Sequence, residues 1–117
     1  MAKEELKVLQ KVQDMMEYAY PALAQFPKAE KFSLAQDIRH CMNQLLELTI
    51  TEDKRQVKTT ALEKLDVENE KLKIYVRLAM RLKLISFHTY EVWSGKLVEI
   101  GKMIGGLVKS VKARPKT

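Results

Sequence analysis

The sequence predicts an all-α protein, an up-and-down antiparallel four-helix bundle, and three observations predict it. Apolar residues recur at steps of three and four in four separate stretches, the mark of amphipathic helices. Hydrophobic residues make up 46% of the 117 positions and charged residues 31%, with only four glycines and three prolines, which favours long helices over a loop-rich β fold. The breaks between the stretches are short, so neighbouring helices should run antiparallel. A chain of this length holds one modest core. Residues 1–110 are therefore expected to form a single domain, with 111–117 as a basic tail.

In the first stretch Leu6, Leu9, Val12, Met16, Ala19 and Leu23 mark the apolar face. Pro21 should kink this helix or end it early, and Phe26-Pro27 should close it, because the residue before proline is pushed out of the helical region. The second helix has a start signal in Ser33-Leu34-Ala35-Gln36, with capping-box spacing. Its stripe is Leu34, Ile38, Cys41, Leu45 and Leu48, and it fades in Thr49-Ile50-Thr51. Asp53-Lys54-Arg55-Gln56 repeats the capping-box spacing and starts the third helix, which Leu62, Leu65, Leu72, Val76 and Ala79 carry to about Leu84.

Ser86 is the expected N-cap of the fourth helix. Trp93, Leu97, Ile100, Ile104, Leu107 and Val111 then alternate steps of four and three. That phase crosses Gly105-Gly106 without a break, so the helix is expected to continue through them. All four glycines, Gly95, Gly101, Gly105 and Gly106, fall in this helix, and each costs roughly 0.8–1 kcal/mol relative to alanine. Gly101 and Gly105 form a small-xxx-small pair that lets another helix approach, within the protomer or across subunits.

Residues 72–85 read LKIYVRLAMRLKLI, in which ten of fourteen side chains are apolar. One core-facing seam needs fewer, so flanking residues such as Tyr75 and Leu78 should pack against another subunit. The polar strip that remains is basic, with Lys73, Arg77 and Arg81 at i, i+4 and i+8. The alternative is a buried helix whose arginines snorkel to ordinary solvent.

Charge is divided unevenly along the chain. Residues 1–53 carry six basic and nine acidic side chains, whereas residues 54–117 carry fifteen and six, a balance of −3 against +9. Such asymmetry points to a polyanion or an acidic protein surface as partner, although basic residues also simply solvate helix faces. A lone Cys41 excludes an intrachain disulfide and fits a cytoplasmic setting. No signal-peptide core and no spanning run of 18 apolar residues is present, so no membrane contact is expected.

Catalytic chemistry is thin. His40 and His88 lie on different helices without metal-ligand spacing, and Cys41 belongs to an apolar stripe. Asp66, Glu68 and Glu70 lack the Glu-x-x-His companion of bundle metal sites and read as a solvated face. No enzyme activity, cofactor, metal or small-molecule substrate is expected. The aromatic residues Tyr18, Tyr20, Phe26, Phe32, Tyr75, Phe87, Tyr90 and Trp93 fall mostly on or beside the core stripes, so nucleic-acid contact should rest on Lys and Arg meeting phosphates.

Three short stretches carry a resemblance. Tyr20-Pro21, Gln25-Phe26-Pro27-Lys28 with Glu30 and Phe32, and Gly101-Lys102-Met103-Ile104-Gly105-Gly106 resemble the small bacterial four-helix-bundle proteins. That group includes the Avd accessory proteins of diversity-generating retroelements and the proteins encoded by intervening sequences of large-subunit rRNA genes. The resemblance spans the chain from its first helix to the double glycine.

It implies a homopentameric barrel of four-helix protomers, with a basic surface that binds reverse transcriptase and RNA or DNA, in a bacterial or phage setting. The family's basic pair in the third helix matches Arg77 and Arg81, and Lys73 extends the strip by spacing alone. Lys83, Lys102, Lys109, Lys112 and Arg114 are the further candidate contacts, and Gly101, Gly105, Gly106, Leu107, Tyr75 and Leu78 the candidate packing residues. Leu107 stands where the family often has tryptophan. A protein-only adaptor with a basic docking face is the competing reading, as is membership of the rRNA-encoded branch.

Overall fold

The computed structural model describes residues 3–51 and 59–113, and side chains from 7–50 and 60–113. Four long helices and one helical turn make up the described chain: α1 Lys3–Ala24, α2 Lys28–Lys31, α3 Leu34–Thr51, α4 Thr59–Arg81 and α5 Phe87–Lys112. They form a rod of 53 × 22 × 19 Å. Each long helix packs on two others, in the cyclic order α1, α3, α4, α5 and back to α1. The opposed direction of α1 and α5 is visible in two cross-helix contacts. Lys11 Nζ meets Glu99 at 2.9 Å, and further along α1 the Tyr18 ring lies 5.5 Å from the ammonium of Lys96, an earlier residue of α5.

The core is the set of seams the heptad-like spacings create. Val8, Val12, Met15, Ala19 and Leu23 are buried on α1. This corrects the sequence reading, since Leu9 and Met16 are only half-buried and their neighbours Val8 and Met15 take the core positions. The side chain of Leu6 lies outside the described residues. On α3 the expected Leu34, Ile38, Cys41 and Leu45 are buried and Leu48 is half-buried. On α5, Trp93, Leu97, Ile100 and Ile104 are buried, while Leu107 and Val111 pack half-buried against the same core.

The ends of the helices follow local chemistry, with three departures. Pro21 neither ends α1 nor shortens it appreciably, for the helix runs three residues beyond it. Phe26, next to Pro27, turns back into the core. The capping box at Ser33 is not what the hydroxyl does. Ser33 Oγ donates backwards to Glu30 Oε2 at 2.8 Å, closing the α2 turn rather than reaching into α3. The start signal at Asp53-Lys54-Arg55-Gln56 lies outside the described residues. At the other end α4 stops at Arg81 rather than Leu84.

That stop has a plain cause. Lys83 sits at φ 63°, the left-handed region that glycine normally supplies at a helix end. The Leu84 amide bonds the Ala79 carbonyl at 2.9 Å and the Lys83 amide bonds Met80 at 3.0 Å, the paired reverse bonds of a Schellman motif. A residue with a Cβ holds this conformation at a cost of roughly 1–2 kcal/mol. Ser86 then caps α5 as expected, its Oγ accepting from the Thr89 amide at 3.1 Å.

The fifth helix passes through Gly105-Gly106 to Lys112, as the phase of its stripe requires. The close-approach role of the glycines is redistributed. A Cβ on Gly101 would lie 3.2 Å from Asn69 Nδ2, but among the described residues Gly95, Gly105 and Gly106 have nothing within 4 Å of that position. Asn69 is the residue that completes the α4 seam, filling the gap between Leu65 and Leu72 so that buried positions run 62, 65, 69, 72, 76 and 79. Its Nδ2 donates to the Leu97 carbonyl at 2.9 Å, which pins the amide against Gly101.

A contrast between two substitutions follows. Gly105→Ala gains helix propensity in open space and should raise stability by about 0.5–1 kcal/mol in chemical denaturation. Gly101→Ala must displace a hydrogen-bonded amide and should gain nothing or lose stability. A larger gain at Gly101 than at Gly105 would contradict this packing.

Candidate functional site

Helix α4 has two apolar faces. The inner one is the seam of Leu65, Leu72, Val76 and Ala79. The outer one is Val67, Ile74 and Leu78, continued just past the helix end by Leu82, at steps of seven, four and four, of which Ile74 is 56% and Leu82 53% exposed. Near-complete burial of one stripe and exposure of another on the same helix explains the excess of apolar residues in 72–85. Tyr75, by contrast, packs half-buried against the protomer's own core.

Arg77 and Arg81 border the outer stripe and are exposed. Neither makes an ion pair among the described residues. Lys73 differs, for its ammonium meets Glu70 at 3.0 Å. The expected three-member strip is therefore a pair of free guanidiniums and one lysine already engaged with a carboxylate. An exposed pair of that kind is worth little in stability, yet it diminishes the charge a ligand meets.

The other basic candidates do not join this strip. Because α5 runs back along α4, Lys109 and Lys112 lie at the end of the rod opposite Lys83 and Arg81, Lys102 lies near its middle beside the Gly101–Asn69 contact, and all three are exposed. The 26 residues of α5 separate the two ends by about 39 Å at 1.5 Å per residue. Lys109 and Lys112 occupy the last turn of α5, where a cation also complements the helix dipole. Arg114 lies outside the described residues.

Lys83 belongs to a cleft at the first of these ends. A cavity of about 590 Å³ opens between the end of α1 and the α4–α5 turn, lined by Tyr18, Pro21, Gln25, Lys83, Ser86 and Phe87 among others. Phe87 is 61% exposed and its ring lies 5.9 Å from that of Tyr90. Tyr20 at 42% and Phe32 at 81% are exposed in α1's last two turns and the α1–α3 connection, at the same end. The sequence reading placed the aromatic residues mostly on or beside the core stripes. Phe26 and Trp93 are in the core and Tyr18, Tyr75 and Tyr90 pack against it, but these three stand clear of it.

The remaining polar groups are structural. Cys41 is buried, and its one S–H is shared between Glu68 Oε2, 3.2 Å from Sγ, and the Glu68 carbonyl at 3.3 Å. Burial first, and the neighbouring carboxylate second, push its thiol up to about 12, so it stays protonated and unreactive. Glu68 thus belongs to the α3–α4 contact, while Asp66 and Glu70 are exposed as expected. Among the described residues no group of three His, Cys, Asp or Glu side chains is placed to hold a metal ion. No described helix is long and apolar enough to cross a membrane.

The chain matches the bAvd-like family model over residues 6–111, which is almost its whole length. It belongs to the bAvd-like family. That is an accessory-protein family, not one known for catalysis. No curated protein matches this bAvd-like chain significantly. The match begins in α1 and ends in α5, so it takes in all four long helices, the outer face of α4 and the cleft.

Proposed function

We propose that this bAvd-like protein is a non-enzymatic accessory protein of a diversity-generating retroelement. It assembles with copies of itself and binds the reverse transcriptase and RNA or DNA through basic surfaces, supporting mutagenic reverse transcription and retrohoming. The observation that carries the reading is the outer face of α4, where unpaired Arg77 and Arg81 border the exposed stripe of Ile74, Leu78 and Leu82. An apolar stripe of this length on a monomer is an association surface, and free guanidiniums beside it suit phosphate or carboxylate. In a chain of this family, those two partner chemistries correspond to a nucleic acid and an acidic protein face.

Co-purification tests the protein partner. A tagged chain should retain the reverse transcriptase of the same retroelement at low salt. Arg77→Ala combined with Arg81→Ala should release most of it while leaving the melting temperature unchanged. Full retention by the double variant would remove the arginine pair from the interface. Retention of the enzyme with no nucleic-acid binding by the parent would favour a protein-only adaptor.

A further inference from the structure

We propose that the cleft at the α4–α5 turn is a subsite for one unstacked base of a single-stranded nucleic acid, with Phe87 as its stacking platform and Lys83 as its phosphate contact. The inference rests on the nucleic-acid reading above, and it adds a site and a strand preference that the arginine pair alone does not give. Three observations converge on it. The cavity of about 590 Å³ is of the size that small ligands occupy. One wall is the exposed ring of Phe87, and Gln25 and Tyr18 add an amide and a phenol within the same cavity.

The charge is one-sided. Lys83 is a cleft residue, and among the described residues no acidic side chain lines the cleft. The N-terminus of α5 opens at Ser86, also on the cleft wall, where the helix dipole adds positive potential. An apolar plane beside a cation, with a few hydrogen-bonding groups, is the chemistry that recognises a nucleotide rather than an acidic peptide. Tyr20 and Phe32, exposed at the same end, extend the run of aromatic surface beyond the cleft.

A duplex cannot use this arrangement, because its base faces are occupied by one another. An unpaired base offers a free π-face, and stacking of that kind is tolerant of sequence. The cleft therefore favours single strands, whereas Arg77 and Arg81 on the outer face of α4 meet phosphates of either form.

Fluorescence anisotropy with a labelled mixed-sequence single strand and a fully paired, loop-free duplex of the same sequence tests the idea. The parent should bind the single strand more tightly. Phe87→Ala should weaken single-strand binding by on the order of tenfold or more, with the salt slope and the duplex affinity unchanged. Phe87→Trp should restore the single-strand affinity, and both variants should melt with the parent because the ring is exposed. Single-strand binding by Phe87→Ala equal to the parent's, or an equal loss for both ligands, would overturn the subsite while leaving the arginine surface intact. Loss of reverse-transcriptase capture without loss of strand binding would assign the cleft to a protein and overturn it as well. Failure of the parent to bind either ligand would overturn the nucleic-acid reading itself, and the subsite with it.

Discussion

Trp93→Ala lowers the free energy of unfolding by about 3–5 kcal/mol, as truncation of a large core residue does. The indole is fully buried, the largest such side chain in the core. A domain of this size has only about 5–15 kcal/mol to lose. The melting temperature should fall by on the order of 10–20 °C. Trp93→Phe should cost distinctly less. It leaves a smaller cavity, and it removes an indole N–H that has no hydrogen-bond partner among the described residues. Urea denaturation of the two variants gives the comparison, and a loss below 1 kcal/mol for Trp93→Ala would contradict the placement of that side chain.

Ile74→Glu combined with Leu78→Glu should reduce the proposed assembly to a 13.6 kDa protomer in solution. Both residues are exposed on the outer face of α4, and glutamate is a good helix former, so the protomer should keep its fold. The effect should therefore appear in mass and not in helicity. Light scattering of the parent should give a multiple of the protomer mass, a fivefold one if the assembly is the pentamer its family resemblance implies. A monomeric parent, or an unaltered mass in the double variant, would assign the stripe to something other than a second copy.

How much of this was legible in the sequence depends on the element. The α5 stripe survived four glycines because its phase never slipped, and Ser86 announced the start of the helix with the hydroxyl that caps it. The inner and outer faces of α4 were legible together, as more apolar residues than one seam can bury. The α1 stripe was read one residue out of place at two positions. Val8-Leu9 and Met15-Met16 are adjacent apolar pairs, and periodicity alone does not choose between their members.

Asn69 was missed for a different reason. A polar residue at a core position interrupts the hydrophobic pattern, and its partner, the Leu97 carbonyl, lies on another helix. The candidate site was legible in residue type but not in place. Arg81 and Lys109 both belong to the basic second half of the sequence, yet antiparallel packing of α4 and α5 sends them to opposite ends of the rod. In the sequence Lys83 shows only its charge, and the backbone adds that it terminates α4 from a left-handed conformation and lines a cleft. Phe87, Tyr20 and Phe32 gave no pattern that distinguishes an exposed ring from one beside a stripe.

The most direct test of the central claim is a titration of the protein with RNA and with DNA over a series of salt concentrations. The account predicts binding that weakens steeply as salt rises, because phosphate contacts release counterions. Arg77→Ala with Arg81→Ala should lower the affinity at low salt and flatten the logarithmic salt slope by about 1.5 for each engaged protomer, from roughly 0.7–0.9 per phosphate contact. An affinity that does not respond to salt, or a double variant indistinguishable from the parent, would contradict a nucleic-acid surface centred on those two arginines.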